Sequence, residues 1–310
     1  MNGNIKEEIS RRAEKINGLL EENLPKEQGD QINVIEAMNY SVRVGGKRIR
    51  PMLMEETYRY FTKNTDELSQ QETQVLAPFM AAMEMIHTYS LIHDDLPAMD
   101  GDEYRRGKLT TWKKYGEAVA VLAGDGLLNY AYETAAKAWK NHSDSERITL
   151  SSILRAYEIL TVKPGISGMI GGQAIDVENC EKKLSLKMLD HINQLKTGAL
   201  MEASMMIGAA LAGADENELA NIEKSAACLG MAFQIQDDIL DVTSTTQELG
   251  KPVGSDEKNH KTTYVNLLGI EKAKEQVVEL SKEAVRHIKD CQGENPFLLS
   301  LVEYLIHRKK

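Results

Sequence analysis

Five carboxylates fall within ten residues where the chain reads Asp94-Asp95-Leu96-Pro97-Ala98-Met99-Asp100-Gly101-Asp102-Glu103. His87 lies seven residues before Asp94 and so shares its helical stripe, seven residues making almost two turns. Asp94 and Asp100, six apart, would diverge by about 120° on an unbroken helix. Pro97 lacks the N–H of a normal turn and pushes its predecessor out of the α region, so the helix has to end or loosen here, which lets the two aspartates converge. Carboxylates near a helix C-terminus are repelled by the macrodipole, a cost that bound cations would offset. A second acidic set reads Phe233-Gln234-Ile235-Gln236-Asp237-Asp238-Ile239-Leu240-Asp241. Asp237 and Asp241 are neighbours on one helix face, with Gln234 one turn earlier. Like charges at that spacing in an apolar segment favour a hard, oxygen-seeking cation, and magnesium bridging to phosphate is the natural candidate. A solvated acidic face is the plain alternative for either set taken alone.

Phosphate would need local partners, because the formal net charge is −10. Gly45-Gly46-Lys47-Arg48-Ile49-Arg50-Pro51 sets three cations in four residues behind two glycines that allow the backbone to approach an anion. Pro51 suits the first turn of a helix. Arg105-Arg106-Gly107-Lys108 follows the first acidic set and could grip phosphate with planar guanidinium forks. Lys196-Thr197-Gly198, Lys251-Pro252 and Lys261-Thr262-Thr263 are weaker signals that ordinary surface explains equally well. A phosphate loop of the Gly-x-x-x-x-Gly-Lys-Ser/Thr kind is absent, as is a dinucleotide fingerprint. No Ser-His-Asp or Cys-His set offers a nucleophile. The acidic balance argues against nucleic acid as the main partner.

Helices have to position these side chains. Only 7 prolines and 4 phenylalanines occur in 310 residues, while residues that lose little on entering a helix abound. Turn signals at 25–30, 62–66, 141–145, 163–165, 213–217, 250–259 and 292–296 separate helical patterns of roughly 15 to 30 residues. The expectation is an all-α fold: one domain over 1–310, a large bundle of about ten or more helices around a central active-site cavity. The N-terminal twenty residues are charged and amphipathic, unlike a signal peptide. The least polar stretch, 198–214, is interrupted by Glu202 and too short for a membrane span, so it reads as a buried helix. Three scattered cysteines, Cys180, Cys228 and Cys291, support neither a disulfide framework nor a zinc site, and a reducing cytoplasm is expected.

Together these segments resemble the trans-prenyl diphosphate synthase family, and closely its bacterial farnesyl diphosphate synthase (geranyltranstransferase) branch. The likeness rests on GGKRIRP at 45–51, EMIHTYSLIHDDLPAMD at 84–100, RRGK at 105–108, GEAVAVLAGDGLL at 116–128, GMIGGQAID at 168–176, KTGAL at 196–200, FQIQDDILD at 233–241 and GKPVGSD at 250–256. It implies condensation of an allylic diphosphate with isopentenyl diphosphate, in the cytoplasm and by a homodimer. Gly46, Lys47, Arg50, His87 and Arg106 would hold isopentenyl diphosphate. Arg105, Lys196, Thr197, Gln234, Lys251 and Lys261 would contact the allylic diphosphate. Asp94, Asp100 and Asp237 would ligate magnesium, three ions being implied once substrate is bound, while Asp95, Asp238 and Asp241 would orient ligands and metal-bound water. Gln173 and Asp176 would line the cavity, a core hydrogen bond being the equal alternative. In the family, bulk five residues before the first aspartate limits product length; here that residue is Tyr89, beside Ser90, and with LPAM between Asp95 and Asp100 it implies a farnesyl product over a geranylgeranyl one.

The chain departs from the family pattern at Leu109-Thr110-Thr111-Trp112-Lys113 and at Gly101, which puts loop geometry in question more than the reaction. A di-iron carboxylate protein would need two Glu-x-x-His pairs, and only Glu84-Met85-Ile86-His87 has that spacing. His93-Asp94 could belong to a metal phosphohydrolase with histidine ligands. A terpene cyclase would not need Lys47 and Arg50, and a noncatalytic subunit of a heteromeric synthase is expected to have lost its aspartates.

Overall fold

A computed structural model describes residues 2–64, 67–142, 148–180, 182–243 and 262–306, with side chains from residue 5 onward. The fold is all-α, as the sequence predicts; among the described residues the one strand pairing is a two-residue hairpin. The chain divides into two compact units, Met1–Glu55 with Asp66–Tyr157 and Glu56–Thr65 with Glu158–Lys310.

The first unit holds α1 (Asn2–Asn23), α2 (Ile32–Arg43), the start of α3 (Ile49–Thr62), α4 (Gln70–Asp94), hairpin β1 (Tyr104–Arg105) and β2 (Lys108–Leu109), α5 (Thr111–Tyr115), α6 (Glu117–Asn141) and the start of α7 (Leu150–Val162). Its core is α4. The helix opens on a capping box, the Glu72 amide donating to Ser69 Oγ at 3.2 Å and the Ser69 amide to Glu72 Oε2 at 2.9 Å, which satisfies two amide donors that the first turn leaves open. Residues 75–86 are buried without interruption, more than three turns, so the helix is enclosed on every side rather than along one stripe. Among the described residues it is also the one helix long and apolar enough to cross a membrane, with a mean hydropathy of 1.3, yet 83% of that window is buried in the protein. The weakly polar stretch at 198–214 forms a shorter helix, Ala199–Leu211, which is buried throughout, as the sequence predicts. Alanines 120, 123, 131, 135 and 138 of α6 are fully buried, and their small side chains let α6 lie close along α4.

The second unit holds the remainder of α3 and α7, then α8 (Met169–Glu178), α9 (Leu186–Asn193), a π-helical turn (Gln194–Gly198), α10 (Ala199–Leu211), α11 (Glu216–Thr243), α12 (Tyr264–Leu268), α13 (Ile270–Lys289) and α14 (Pro296–Ile306). Every residue of α10 is buried. Its one charge, Glu202, is met by Lys163 Nζ, which also donates to Glu223 Oε1 at 2.6 Å. α11 packs on α10, α13 and α14 and carries the second acidic set.

Candidate active site

In the first unit α4 stops at Asp94, and the chain folds back through a compact turn. Leu96 N–H donates to His93 O at 3.2 Å, Gly101 N–H to Leu96 O at 3.0 Å and Asp100 N–H to Asp94 O at 2.9 Å. The last of these makes the two aspartates backbone neighbours, one half-buried and the other exposed. Asp95 points elsewhere. It is 3% exposed and takes a forked pair of bonds from Arg105, Nε at 2.9 Å and Nη2 at 2.5 Å. Burial opposes the Arg105 charge, but the Asp95 bonds outweigh it and hold the guanidinium above its ordinary value.

Arg105 and Lys108 pair across a turn whose two central residues have positive φ, Arg106 at 52° and Gly107 at 76°. This is the sign pattern of a type I′ hairpin turn. Trp112, which the sequence left without a role, ties the loop down. Its Nε1–H and the Thr110 hydroxyl both donate to Asp102 O at 2.8 Å.

The turn projects Arg106 toward the Gly45–Pro51 loop. A Cβ at Gly46 would come within 2.8 Å of Arg106 Nη1 and displace that guanidinium, and Gly46 has φ of 151°, a backbone conformation that favours glycine. The three loop cations have separate fates. Arg48 is buried and turned inward, donating to Glu84 Oε1 at 2.6 Å, Asn17 Oδ1 at 2.8 Å and Val42 O at 2.7 Å. It is therefore a structural ion pair, which removes it from the anion-facing set that the sequence grouped together. Lys47 is exposed. Arg50 sits in the first turn of α3, where a cation opposes the helix dipole. Its buried Nε has no hydrogen-bond partner among the described residues, and burial and Arg106 depress its charge, as burial, Arg48 and Arg105 depress that of Arg106.

His87 lies in the same field. Burial first, then Arg50, Arg106, Arg105 and Arg48, hold it well below the ordinary histidine range, so at neutral pH it is an uncharged imidazole. Glu84, the other half of the Glu-x-x-His spacing, is committed to Arg48. His93 Nε2 lies 3.1 Å from Val121 O, a packing contact with α6. Tyr89 is 5% exposed, meets the His93 ring edge-on at 5.8 Å, and its buried hydroxyl has no hydrogen-bond partner among the described residues. Ser90 Oγ donates to His87 O at 2.9 Å.

In the second unit Asp237 is half-buried, while Asp238 and Asp241 are 6% and 2% exposed. Asp238 is held from two sides: Tyr264 N–H donates to Oδ2 at 2.8 Å and Gln234 Nε2 to Oδ1 at 3.2 Å. Thr197 Oγ1 in turn donates to Gln234 Oε1 at 3.4 Å. Lys196 Nζ donates to Asp176 Oδ2 at 2.7 Å, with Gln173 one turn before Asp176. Lys196 and Thr197 lie in the π turn, a local widening common at functional positions. α11 crosses that turn at Gly230, where an added Cβ would meet Gly198 Cα at 2.9 Å. Sequence reasoning passed over Tyr264, Gly230 and the Arg48–Glu84 pair. Lys251 and Lys261 lie outside the described residues.

Chemically, the first unit offers an anion cradle made of Arg50, Arg106 and a neutral imidazole, beside two aspartates joined through their backbone. Among the described residues no three His, Cys, Asp or Glu side chains gather closely enough to cage an ion alone. Magnesium suits such a donor set, because it is held by one or two carboxylates and completes its shell with water and substrate phosphate.

The polyprenyl synthetase family model matches residues 32–301. The chain is 44% identical over 273 residues to the farnesyl diphosphate synthase of Geobacillus stearothermophilus, 88% of each chain being covered. It is 41% identical over 308 residues to a chloroplastic geranylgeranyl pyrophosphate synthase of Capsicum annuum, covering 98% of this chain and 79% of that one. Among solved structures, a Helicobacter pylori geranyltransferase complexed with magnesium and isoprenyl diphosphate superimposes with a TM-score of 0.79 at 30% identity, covering 96% of this chain and 95% of that one.

Proposed function

The chain belongs to the polyprenyl synthetase family, and on that premise we propose that it is a magnesium-dependent prenyltransferase that couples dimethylallyl or geranyl diphosphate to isopentenyl diphosphate, giving farnesyl diphosphate and inorganic diphosphate. The observation that carries this reading is the cradle of Arg50, Arg106 and His87. Two cations are kept in the first turn of a helix and a facing hairpin, where burial and neighbouring arginines weaken the charge of each: Arg106 that of Arg50, and Arg48 and Arg105 that of Arg106. An anionic substrate removes that penalty.

Each group then has a task. Lys47, Arg50 and Arg106 bind the diphosphate of isopentenyl diphosphate against the Gly46 backbone. His87, being neutral, adds a hydrogen bond without adding repulsion among the arginines. Asp94, Asp100 and Asp237 would hold magnesium, which when bound would supply neutralisation of the allylic substrate's diphosphate charge. Arg105, held in place by Asp95, and Lys196, held by Asp176, place positive charge where the leaving diphosphate becomes more negative. The allylic C–O bond breaks with its electron pair going to the diphosphate. The double bond of isopentenyl diphosphate attacks the allylic cation, and a proton passes to the released diphosphate, so charge and atoms balance. Fixing both substrates by their diphosphates makes the coupling effectively intramolecular.

Tyr89, a bulky side chain buried on α4, supports the farnesyl product; a geranylgeranyl or geranyl diphosphate synthase is the alternative, the former kept in view by the Capsicum relative. A cytoplasmic homodimer of single synthase domains is the setting that the family likeness supports. Incubation with magnesium, labelled isopentenyl diphosphate and geranyl diphosphate, followed by product sizing, tests the reading. The expected result is a C15 product and release of diphosphate only when both substrates are present. Asp94→Ala should lower turnover by about 10²–10³-fold, the cost of losing one electrostatic contact to the transition state. Diphosphate release from the allylic substrate alone, at the same rate, would point to a phosphohydrolase instead.

A further inference from the structure

Tyr264 is fully buried and has no part in the chemistry above, yet it makes two polar contacts at once. Its backbone N–H donates to Asp238 Oδ2 at 2.8 Å, and its hydroxyl donates to Asp190 Oδ1 at 2.8 Å, with Met231 Sδ also at 2.8 Å. Asp190 lies on α9 four residues before the π turn, and α9 runs directly into that turn. From the turn the connections lead back: Thr197 Oγ1 donates to Gln234 Oε1, and Gln234 Nε2 donates to Asp238 Oδ1. The contacts close a loop from π turn to Gln234, Asp238, Tyr264, Asp190, α9 and back to the π turn.

A closed loop of hydrogen bonds holds its members at fixed spacing, because each is located from two directions and no single bond can lengthen without straining the rest. This one spans the aspartate next to Asp237 and the turn that carries Lys196. Asp238 is 6% exposed, so it needs partners, and Tyr264 supplies one through an amide that side-chain substitution cannot delete. The tyrosine ring, enclosed in the core, and the Asp190 bond fix where that amide lies. Burial first, with Asn193 pulling down and Asp190 pushing up, leaves the phenol well above its ordinary range, so it stays a donor throughout the working pH range.

We propose that Tyr264 is a positioning residue that keeps the second aspartate motif and the Lys196 turn in register, closing a hydrogen-bond ring through Asp190. The inference rests on the proposed prenyltransferase reading, and its test separates the two. In metal-free protein, hydrogen exchange is followed by mass spectrometry for wild type, Tyr264→Phe and Asp190→Ala. Tyr264→Phe keeps the ring volume and the amide while opening the ring at the hydroxyl. Exchange should quicken at 194–198 and at 234–238 as well as near residue 264. Faster exchange confined to 262–268 would reduce Tyr264 to a local packing residue and overturn the proposal.

The second readout is kinetic. Opening the ring should raise the magnesium concentration for half-maximal rate and lower kcat, by roughly 10- to 100-fold in combination, as loss of an orienting partner of a metal ligand does. The KM for isopentenyl diphosphate should hold. Tyr264→Phe, Asp190→Ala and the double variant should show the same defect, since either change opens one ring. If the two losses instead add, or if melting temperature drops while kcat and the magnesium midpoint stay at wild-type values, the ring does not position the site. Should Tyr264→Phe fail to fold, Asp190→Ala, at a half-exposed position, carries the same comparison. A wild-type chain that makes no prenyl product would sink the functional reading, and the exchange experiment would still decide whether the ring exists.

Discussion

Arg50→Met should make the protein more stable and less able to use isopentenyl diphosphate. The guanidinium sits in the first turn of α3 and beside Arg106, two positions that disfavour a cation. Relieving the helix-dipole conflict alone gives about 0.3–1 kcal/mol, and methionine keeps most of the apolar stem packed. The bond that Arg50 would make to a diphosphate oxygen is charge-assisted and contributes about 1.5–3 kcal/mol. At about 1.36 kcal/mol per decade, kcat/KM for isopentenyl diphosphate should fall roughly 10- to 150-fold. Inorganic diphosphate without metal offers a turnover-free check. At 100 times its dissociation constant it stabilises the wild type by about 2.7 kcal/mol, near 5 °C in melting temperature for a chain of this size at about 2 °C per kcal/mol. A variant binding ~100-fold more weakly would gain about 0.4 kcal/mol at the same concentration, under 1 °C. Differential scanning fluorimetry, with and without diphosphate, reads both effects. If Arg50→Met melts lower than wild type and keeps the full diphosphate shift, Arg50 is a structural residue and the cradle argument fails.

Tyr89→Ala should extend the product, as chromatography of reaction products will show, whereas Tyr89→Phe should leave product length unchanged and stability equal or slightly higher, by up to about 1 kcal/mol, because the deleted hydroxyl is buried with no hydrogen-bond partner among the described residues. Gly230→Ala forces a methyl to 2.9 Å from Gly198 Cα; overpacking should cost about 1–3 kcal/mol in denaturant titration, and kcat should fall because the strain lands on the Lys196 turn. His87 stays neutral in the fold at pH values where the unfolded chain takes up a proton, so the folded state should lose stability as pH falls below about 6.5, with a slope approaching 1.4 kcal/mol per pH unit. His87→Asn should remove that component, and equal slopes for the two proteins between pH 7 and 5.5 would contradict the placement of His87 in a cationic field.

Local rules carried much of the fold. Turn signals located the breaks near 25–30, 163–165, 213–217 and 292–296, while the one expected at 250–259 lies outside the described residues, and the bend at Pro97 was legible because a missing N–H has a consequence at a known position. The aspartate sets were legible because like charges at helical spacing in apolar surroundings demand an explanation. Partner choice was harder. Arg48, Lys47 and Arg50 look alike in the chain, and only the tertiary placement of Glu84, 36 residues away, turns Arg48 inward. Tyr264, directly after Lys261-Thr262-Thr263, was passed over because its value lies in contacts 26 and 74 residues distant. Gly230 carried no local signal at all, because a close helix crossing is a property of two segments. Glu202 looked like a flaw in an apolar stretch until Lys163 supplied its counter-charge.

The hairpin turn at Arg106 has a practical corollary for anyone selecting heat-tolerant descendants of this enzyme. An arginine at φ of 52° is in a region that most side chains disfavour, and asparagine followed by glycine is the pairing that such a turn prefers. Screening on thermal survival alone would therefore drift toward Arg106→Asn, and Arg50 would be under the same pull. Survivors would be hardier proteins with a weakened grip on one substrate, so a useful campaign has to score turnover at low isopentenyl diphosphate in every round.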